Sequence, residues 1–165
     1  MIKSLNFLLY VSFFFFNFQS LFALQAYCDF EEVYQDGQTQ QGAVLINNFK
    51  LRYEYYDPNL YTIFYDGKDL VIVNNKDRNL KNYEHQYKKL INIVYDVLKM
   101  KDKENQTVLT DEYEINLEKS ISGDFYKRMS IQSPQINLSI YFNNCSNKSI
   151  NTKYFSLNPV IDLIL

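Results

Sequence analysis

Short segments with β-sheet periodicity, separated by turn dipeptides, restrict the fold of this chain more than any other feature. In residues 50–56 (KLRYEYY), Leu51 and Tyr53 share one face while charged residues occupy the other, a pattern typical of a half-buried strand. Asp-Gly dipeptides at 36–37 and 66–67 favour tight hairpin turns. The sequence therefore predicts antiparallel strands near residues 28–33, 42–47, 50–56, 60–65, 69–73, 80–83, 107–109, 112–118, 125–132, 135–142 and 154–157.

One segment departs from this period. From residue 88 onward, apolar side chains recur at helical spacing and form one stripe, with lysines and an aspartate off it. This pattern predicts a single α-helix of about three turns, ending before the charged residues 101–105. The stripe consists of Leu90, Ile91, Val94, Val97 and Leu98.

The number of strands predicts the architecture. A sheet of about 8 to 11 strands must bury its apolar face, and one helix is too small to cover it. We therefore expect an α+β, mainly antiparallel β fold, in which the sheet curls into an incompletely closed β-barrel with the inserted helix as a lid. The inside of such a barrel is either filled by side chains or encloses a ligand.

The N-terminal residues 1–23 are typical of a secretory signal peptide. Lys3 precedes an uncharged apolar run over residues 5–16, and Ala23 is a small residue suited to cleavage. An uncleaved membrane anchor is the alternative, although the apolar run is shorter than a spanning helix requires. With cleavage after Ala23, residues 24–165 form a single exported domain.

Composition argues against several functional classes. With 17 Lys and Arg against 19 Asp and Glu, the chain shows neither the basic stripe of a nucleic-acid binder nor a polybasic patch for anionic lipid. His85 is the single histidine, and we predict it to be a solvated loop residue. Glu112, Glu114 and Glu118 are predicted to be solvent-facing strand residues rather than paired catalytic carboxylates. We therefore expect no enzymatic activity, no metal and no cofactor.

Two cysteines, Cys28 and Cys145, lie in the exported part of the chain. In an oxidising compartment they favour a disulfide between the first strand and a late strand. Two separate buried thiols are the alternative.

The first hairpins resemble the periplasmic outer-membrane lipoprotein carrier family, known as LolA. The resemblance rests on residues 51–55 (LRYEY), the Asp57-Pro58 turn and residues 63–68 (IFYDGK), in that order. It covers residues 29–74, and it extends to Gly42 and Phe30, which are similar to the family's second-strand glycine and first-strand phenylalanine.

The resemblance implies a periplasmic carrier that holds acyl chains in a hydrophobic cavity. It implies acylated lipoproteins, an inner-membrane lipoprotein-releasing transporter and an outer-membrane lipoprotein receptor as partners, and we expect a monomer that does not bind nucleic acid. The residues that it places along the cavity are Leu51, Tyr53, Ile63, Leu90, Ile91 and Val94.

Two features depart from the family. The amphipathic helix that usually precedes the first strand has no counterpart in the few residues between Ala23 and Cys28, and Asn47-Asn48-Phe49 stands where the family carries an arginine and a proline. Two alternatives therefore remain open. The six residues are ordinary core residues of a filled barrel, or the domain senses lipids or lipoproteins in the bacterial envelope without carrying them.

Overall fold

The computed structural model describes residues 25–81, 85–100 and 104–156, with only the backbone described at Lys81 and residues 85–87. The predicted signal peptide and the apolar tail 160–165 lie outside these residues. The described elements are β1 (Gln25–Tyr34), β2 (Thr39–Asn47), β3 (Lys50–Tyr55), β4 (Tyr61–Tyr65), β5 (Leu70–Asn74), β6 (Leu80–Lys81), α1 (His85–Leu98), β7 (Gln106–Leu109), β8 (Glu114–Lys119), β9 (Tyr126–Gln132), β10 (Asn137–Ser146) and a 3₁₀-helix (Thr152–Phe155).

All ten described strands belong to one antiparallel sheet with the order β6-β5-β4-β3-β2-β1-β10-β9-β8-β7. The first and last strands, β1 and β10, are neighbours in the middle of the sheet, and β6 and β7 are its two edges. The sheet curls without closing, because these two edge strands do not pair with each other. We call the gap between β6 and β7 the seam. The predicted fold class is confirmed.

The concave face of the sheet carries the main core. Ala26, Cys28 and Phe30 alternate along β1 and are buried on this face, as the period of a strand requires. They pack in one cluster with residues from both halves of the sheet, including Leu51 and Ile115. Each fully buried apolar side chain of this kind stabilises the fold by about 1.5–3 kcal/mol.

The helix α1 lies between the two edge strands in the sequence and packs onto the concave face. Val94, Tyr95 and Val97 are its buried residues, and they join the same cluster as the sheet. The predicted helix is thus confirmed, beginning at His85 rather than at residue 88.

A disulfide joins Cys28 on β1 to Cys145 on β10, the first of the two alternatives that the sequence left open. It links strands that are adjacent in the sheet although 117 residues apart in the chain. Closing so long a loop stabilises the fold by about 4–5 kcal/mol in the chain-entropy treatment.

The prediction of a last strand near residues 154–157 was wrong. Thr152–Phe155 forms a 3₁₀-helix whose preceding residue, Asn151, accepts a hydrogen bond from the backbone N–H of Lys153 at 3.0 Å. Ile150 and its neighbours pack against Ala43 and Leu45 on the convex face. This polar cap gives the segment a local alternative to strand pairing.

The same C-terminal segment corrects the expectation that the charged face of the half-buried strand at residues 50–56 is open to solvent: Tyr56 is exposed on it, but Arg52 is not. Arg52 is 2% exposed. Its guanidinium donates to the carbonyl of Tyr154 at 2.9 Å, pairs with Glu54 at 2.5 Å and lies 5.3 Å from the centre of the Phe64 ring. The convex face around Arg52 is therefore covered.

Candidate functional site

The six residues that the family resemblance placed along a cavity all lie in or against the cluster on the concave face. Leu51 and Tyr53 are on β3, Ile63 on β4 pairs directly with Tyr53, and the other three are on α1. The fold thus brings together residues from two hairpin strands and from the helix that crosses them. The helical members are Leu90, Ile91 and Val94.

Burial divides these six residues into two groups. Leu51, Tyr53 and Val94 are 2%, 5% and 6% exposed, so the protein's own side chains already surround them. Ile63, Leu90 and Ile91 are only partly buried. An apolar ligand on this face would therefore meet the second group first.

Two further apolar residues extend the partly buried group. Ile72 on β5 pairs with Ile63 across the hairpin, and Ile93 lies on α1; both pack against the concave cluster. The alternation of β5 would have placed Ile72 beside Ile63, because opposite residues of an antiparallel pair share a face. The partly buried apolar surface therefore spans β4, β5 and α1.

The two halves of α1 are held differently. Near its C-terminal end, the Tyr95 hydroxyl donates to the carbonyl of Asn48 at 2.7 Å and its ring packs edge-on against Tyr65 at 5.2 Å. Near its N-terminal end, the described polar contact is the exposed ion pair between Lys89 and Glu112 at 2.7 Å. Exposed ion pairs add little stability, so the C-terminal half is the firmly anchored one.

Burial is the main reason that the Tyr95 hydroxyl stays protonated. Burial is the largest cause, and together with the nearby Tyr65 and Asp96 it raises the pKa of Tyr95 to about 12. At neutral pH the hydroxyl is therefore a hydrogen-bond donor to Asn48, as the anchoring of the helix requires.

A polar cluster on the concave face was not anticipated from the sequence. The Glu32 carboxylate is buried, with the residue 3% exposed. It accepts hydrogen bonds from the hydroxyls of Tyr34 at 2.5 Å, Tyr53 at 2.7 Å and Tyr55 at 3.0 and 3.1 Å. We call these four residues the Glu32 cluster.

The sequence did contain a signal for this cluster. Strand periodicity running from Cys28 and Phe30 reaches Glu32 next, inside the strand predicted over residues 28–33. Glu32 pairs with Ile140 of β10, whose side chain is buried in the concave cluster. The register thus places a carboxylate among apolar neighbours.

Aromatic rings hold the Glu32 cluster in place. The Phe30 ring stacks on Tyr53 with centroids 4.0 Å apart, and Tyr55 meets both rings edge-on. Phe30 lies across Gly42, where any Cβ would overlap the Phe30 ring and the carbonyl oxygen of Glu54. Glycine at this position is what lets the ring approach the backbone so closely.

The tyrosines of this cluster remain donors at neutral pH. Burial is the main cause that raises the pKa of Tyr53 and Tyr55 well above its ordinary value, and the negative charge of Glu32 adds to it. Burial and the bond to Glu32 raise the pKa of Tyr34 in the same direction.

The acidic residues considered for catalysis lie apart from the concave face. Glu112 pairs with Lys89, Glu114 accepts from Asn116 at 2.9 Å, and Glu118 lies near Lys127 and Arg128.

The turns at 109–114 and 132–134 line a depression of about 370 Å³. The side chain of His85 lies outside the described residues.

Fold and site together define a mainly antiparallel α+β protein, with one helix over the concave face of a curled, open sheet. No protein-family profile matches the chain, and no curated protein sequence matches it. Within the described segments, no helix has the length and apolar character needed to cross a bilayer.

Proposed function

We propose that this protein binds acyl chains on the concave face of its sheet and carries acylated lipoproteins through the periplasm. In this role it would receive them from an inner-membrane lipoprotein-releasing transporter and deliver them to an outer-membrane receptor. The observation that carries the proposal is the partly buried apolar surface shared by β4, β5 and α1.

The chemistry of this surface suits a reversible carrier. Each methylene of an acyl chain that leaves water contributes about 0.8 kcal/mol. Aliphatic side chains such as Ile63, Ile72 and Ile91 provide this burial through dispersion contacts, without directional bonds that would slow release.

The anchoring of α1 supports the same function. Leu90 and Ile91 lie in the half of the helix whose described polar contact is an exposed ion pair, and they are only partly buried against the concave cluster, whereas Tyr95 fixes the other half to the β2–β3 turn. Movement of the N-terminal half would enlarge the apolar surface without breaking a sheet hydrogen bond.

Two further observations agree with export and transport. The Cys28–Cys145 disulfide favours an oxidising compartment. The ordered resemblance of residues 51–68 to the lipoprotein carriers favours acylated cargo over other apolar ligands.

The test is binding of a fluorescent acyl probe to Ile63→Asp. Because Ile63 is partly buried, the variant should remain folded, and its charge on the acyl-binding surface should weaken probe binding at least tenfold. Leu51→Asp should instead prevent folding, since Leu51 is 2% exposed and an unpaired buried charge is costly.

The matched control is Val71→Asp. Val71 pairs with Phe64 on β4, is also partly buried and faces the convex side, so probe binding should be unchanged. Equal weakening in both variants, or failure of the wild-type protein to bind the probe, would contradict the proposal. Mass spectrometry of material that copurifies from the native envelope then identifies the cargo.

A further inference from the structure

Glu32 is a buried carboxylate with no described cationic partner. The five described ion pairs involve other residues, and the described hydrogen bonds to its side chain all come from neutral tyrosine hydroxyls. Neutral donors solvate a carboxylate but do not cancel its charge, and buried charges in proteins are usually paired.

The hydroxyls leave room for another donor. A carboxylate offers about four acceptor positions, and the cluster has three hydroxyl hydrogens. Tyr55 lies within hydrogen-bond distance of both oxygens, at 3.1 and 3.0 Å, so its single hydrogen is divided between them. One further N–H donor would complete the set.

The surroundings favour a cation attached to an apolar group. Phe30 and Tyr53 belong to the same concave cluster as Val94 of the helix, so the Glu32 cluster borders the apolar face. Aromatic rings also attract ammonium groups through their π faces. Tyr34 and Tyr55 are only partly buried, which leaves a side from which a ligand can approach.

We propose that Glu32 binds the primary ammonium group of the acylated ligand, so that the protein prefers lipids with a free amine beside their acyl chains. This inference rests on the proposed acyl-chain binding and specifies its ligand class. Such an amine occurs at the α-amino group of a lipoprotein cysteine that carries only its two glyceryl-linked chains, and in an ethanolamine phospholipid headgroup. N-acylation of either amine removes the charge.

The test compares dodecylamine with dodecanol as competitors of the fluorescent acyl probe, using the full mature protein below the micelle concentration of dodecylamine and below the solubility limit of dodecanol. A hydrogen bond to a charged group contributes enough for about a tenfold preference or more. We expect dodecylamine to compete at least tenfold better in the wild type and no better than dodecanol in Glu32→Gln.

The matched control is Glu31→Gln. Glu31 is the neighbouring residue on β1, faces the convex side and accepts an exposed hydrogen bond from Gln41 at 3.3 Å, so its variant should keep the full preference for the amine. Loss of the preference in this variant would show a general charge effect and overturn the assignment to Glu32.

The outcomes separate the two proposals. If dodecylamine and dodecanol compete equally in the wild type, the role of Glu32 is overturned and acyl binding stands. If neither compound competes with the probe, both proposals are overturned. The wild-type comparison needs no variant, so it can overturn the proposal even if Glu32→Gln does not fold. Lipopeptides with and without an N-acyl chain, compared with vesicles of phosphatidylethanolamine or phosphatidylglycerol, then distinguish the two sources of the amine.

Discussion

Removing the disulfide between Cys28 and Cys145 should cost a large part of the stability of this fold. The bond closes a loop across 117 residues, and a loop of that length corresponds to about 4–5 kcal/mol of lost entropy in the unfolded chain. Domains of this size are stable by about 5–15 kcal/mol. We therefore expect Cys28→Ala/Cys145→Ala to lose about a third or more of its free energy of unfolding.

Urea unfolding followed by circular dichroism measures this loss and its origin. The native sheet should persist without urea, because β1 and β10 remain paired from Asp29 to Tyr34 by backbone hydrogen bonds. The m-value should rise, since the unfolded chain without the cross-link exposes more surface. Reduced wild-type protein should behave like the double variant, which separates loss of the bond from loss of the buried sulfur of Cys28.

A change in unfolding free energy below about 1 kcal/mol, with an unchanged m-value, would refute this reasoning. It would mean that the unfolded chain retains enough structure for the cross-link to remove little entropy.

Two further substitutions test how the covering segments are held. Tyr95→Phe removes the hydroxyl that donates to Asn48 and should lower the free energy of unfolding by about 1–2 kcal/mol. Hydrogen exchange should show faster opening of α1. Unchanged exchange in α1 would contradict the anchoring role of Tyr95. Arg52→Ala leaves Glu54 and the Tyr154 carbonyl without their buried donor and should cost about 3–5 kcal/mol, measured by urea unfolding. Limited proteolysis should then cut the C-terminal segment faster. A loss of unfolding free energy below about 1 kcal/mol would show that water solvates Glu54 when Arg52 is absent.

Local periodicity predicted most of the sheet and the helix, because it is a property of neighbouring residues. The alternation around Leu51 and Tyr53 identified β3 and its concave face, and the apolar stripe from Leu90 identified α1. The same alternation could not show that Arg52 is buried, since what covers it comes from Tyr154, more than a hundred residues away.

The candidate site was only partly predictable for the same reason. Leu90 was placed on the correct face by the periodicity of its own segment, whereas Ile63 was placed by the family resemblance. Glu32 was missed because a charged residue lowers the apparent apolar character of a strand. Its tyrosine partners on β3 lie on the same face of the sheet, with β2 between the two strands. Its burial depends on the order β3-β2-β1, which strand propensities alone do not define.

The position of the seam decides how an apolar ligand could reach the concave face. Strands β1 to β5 are joined by continuous ladders of backbone hydrogen bonds, as are β7 to β10, and entry between any two of them would break several such bonds. The edge strands β6 and β7 carry no ladder between them, and the chain that connects them contains α1. Displacing the half of this helix around Leu90 would break the exposed Lys89–Glu112 pair and uncover side chains that are already partly exposed. The free energy of that opening is therefore much smaller than the free energy of opening the sheet, so ligand exchange should be limited by the helix and should become slightly faster in Lys89→Ala, which removes that ion pair.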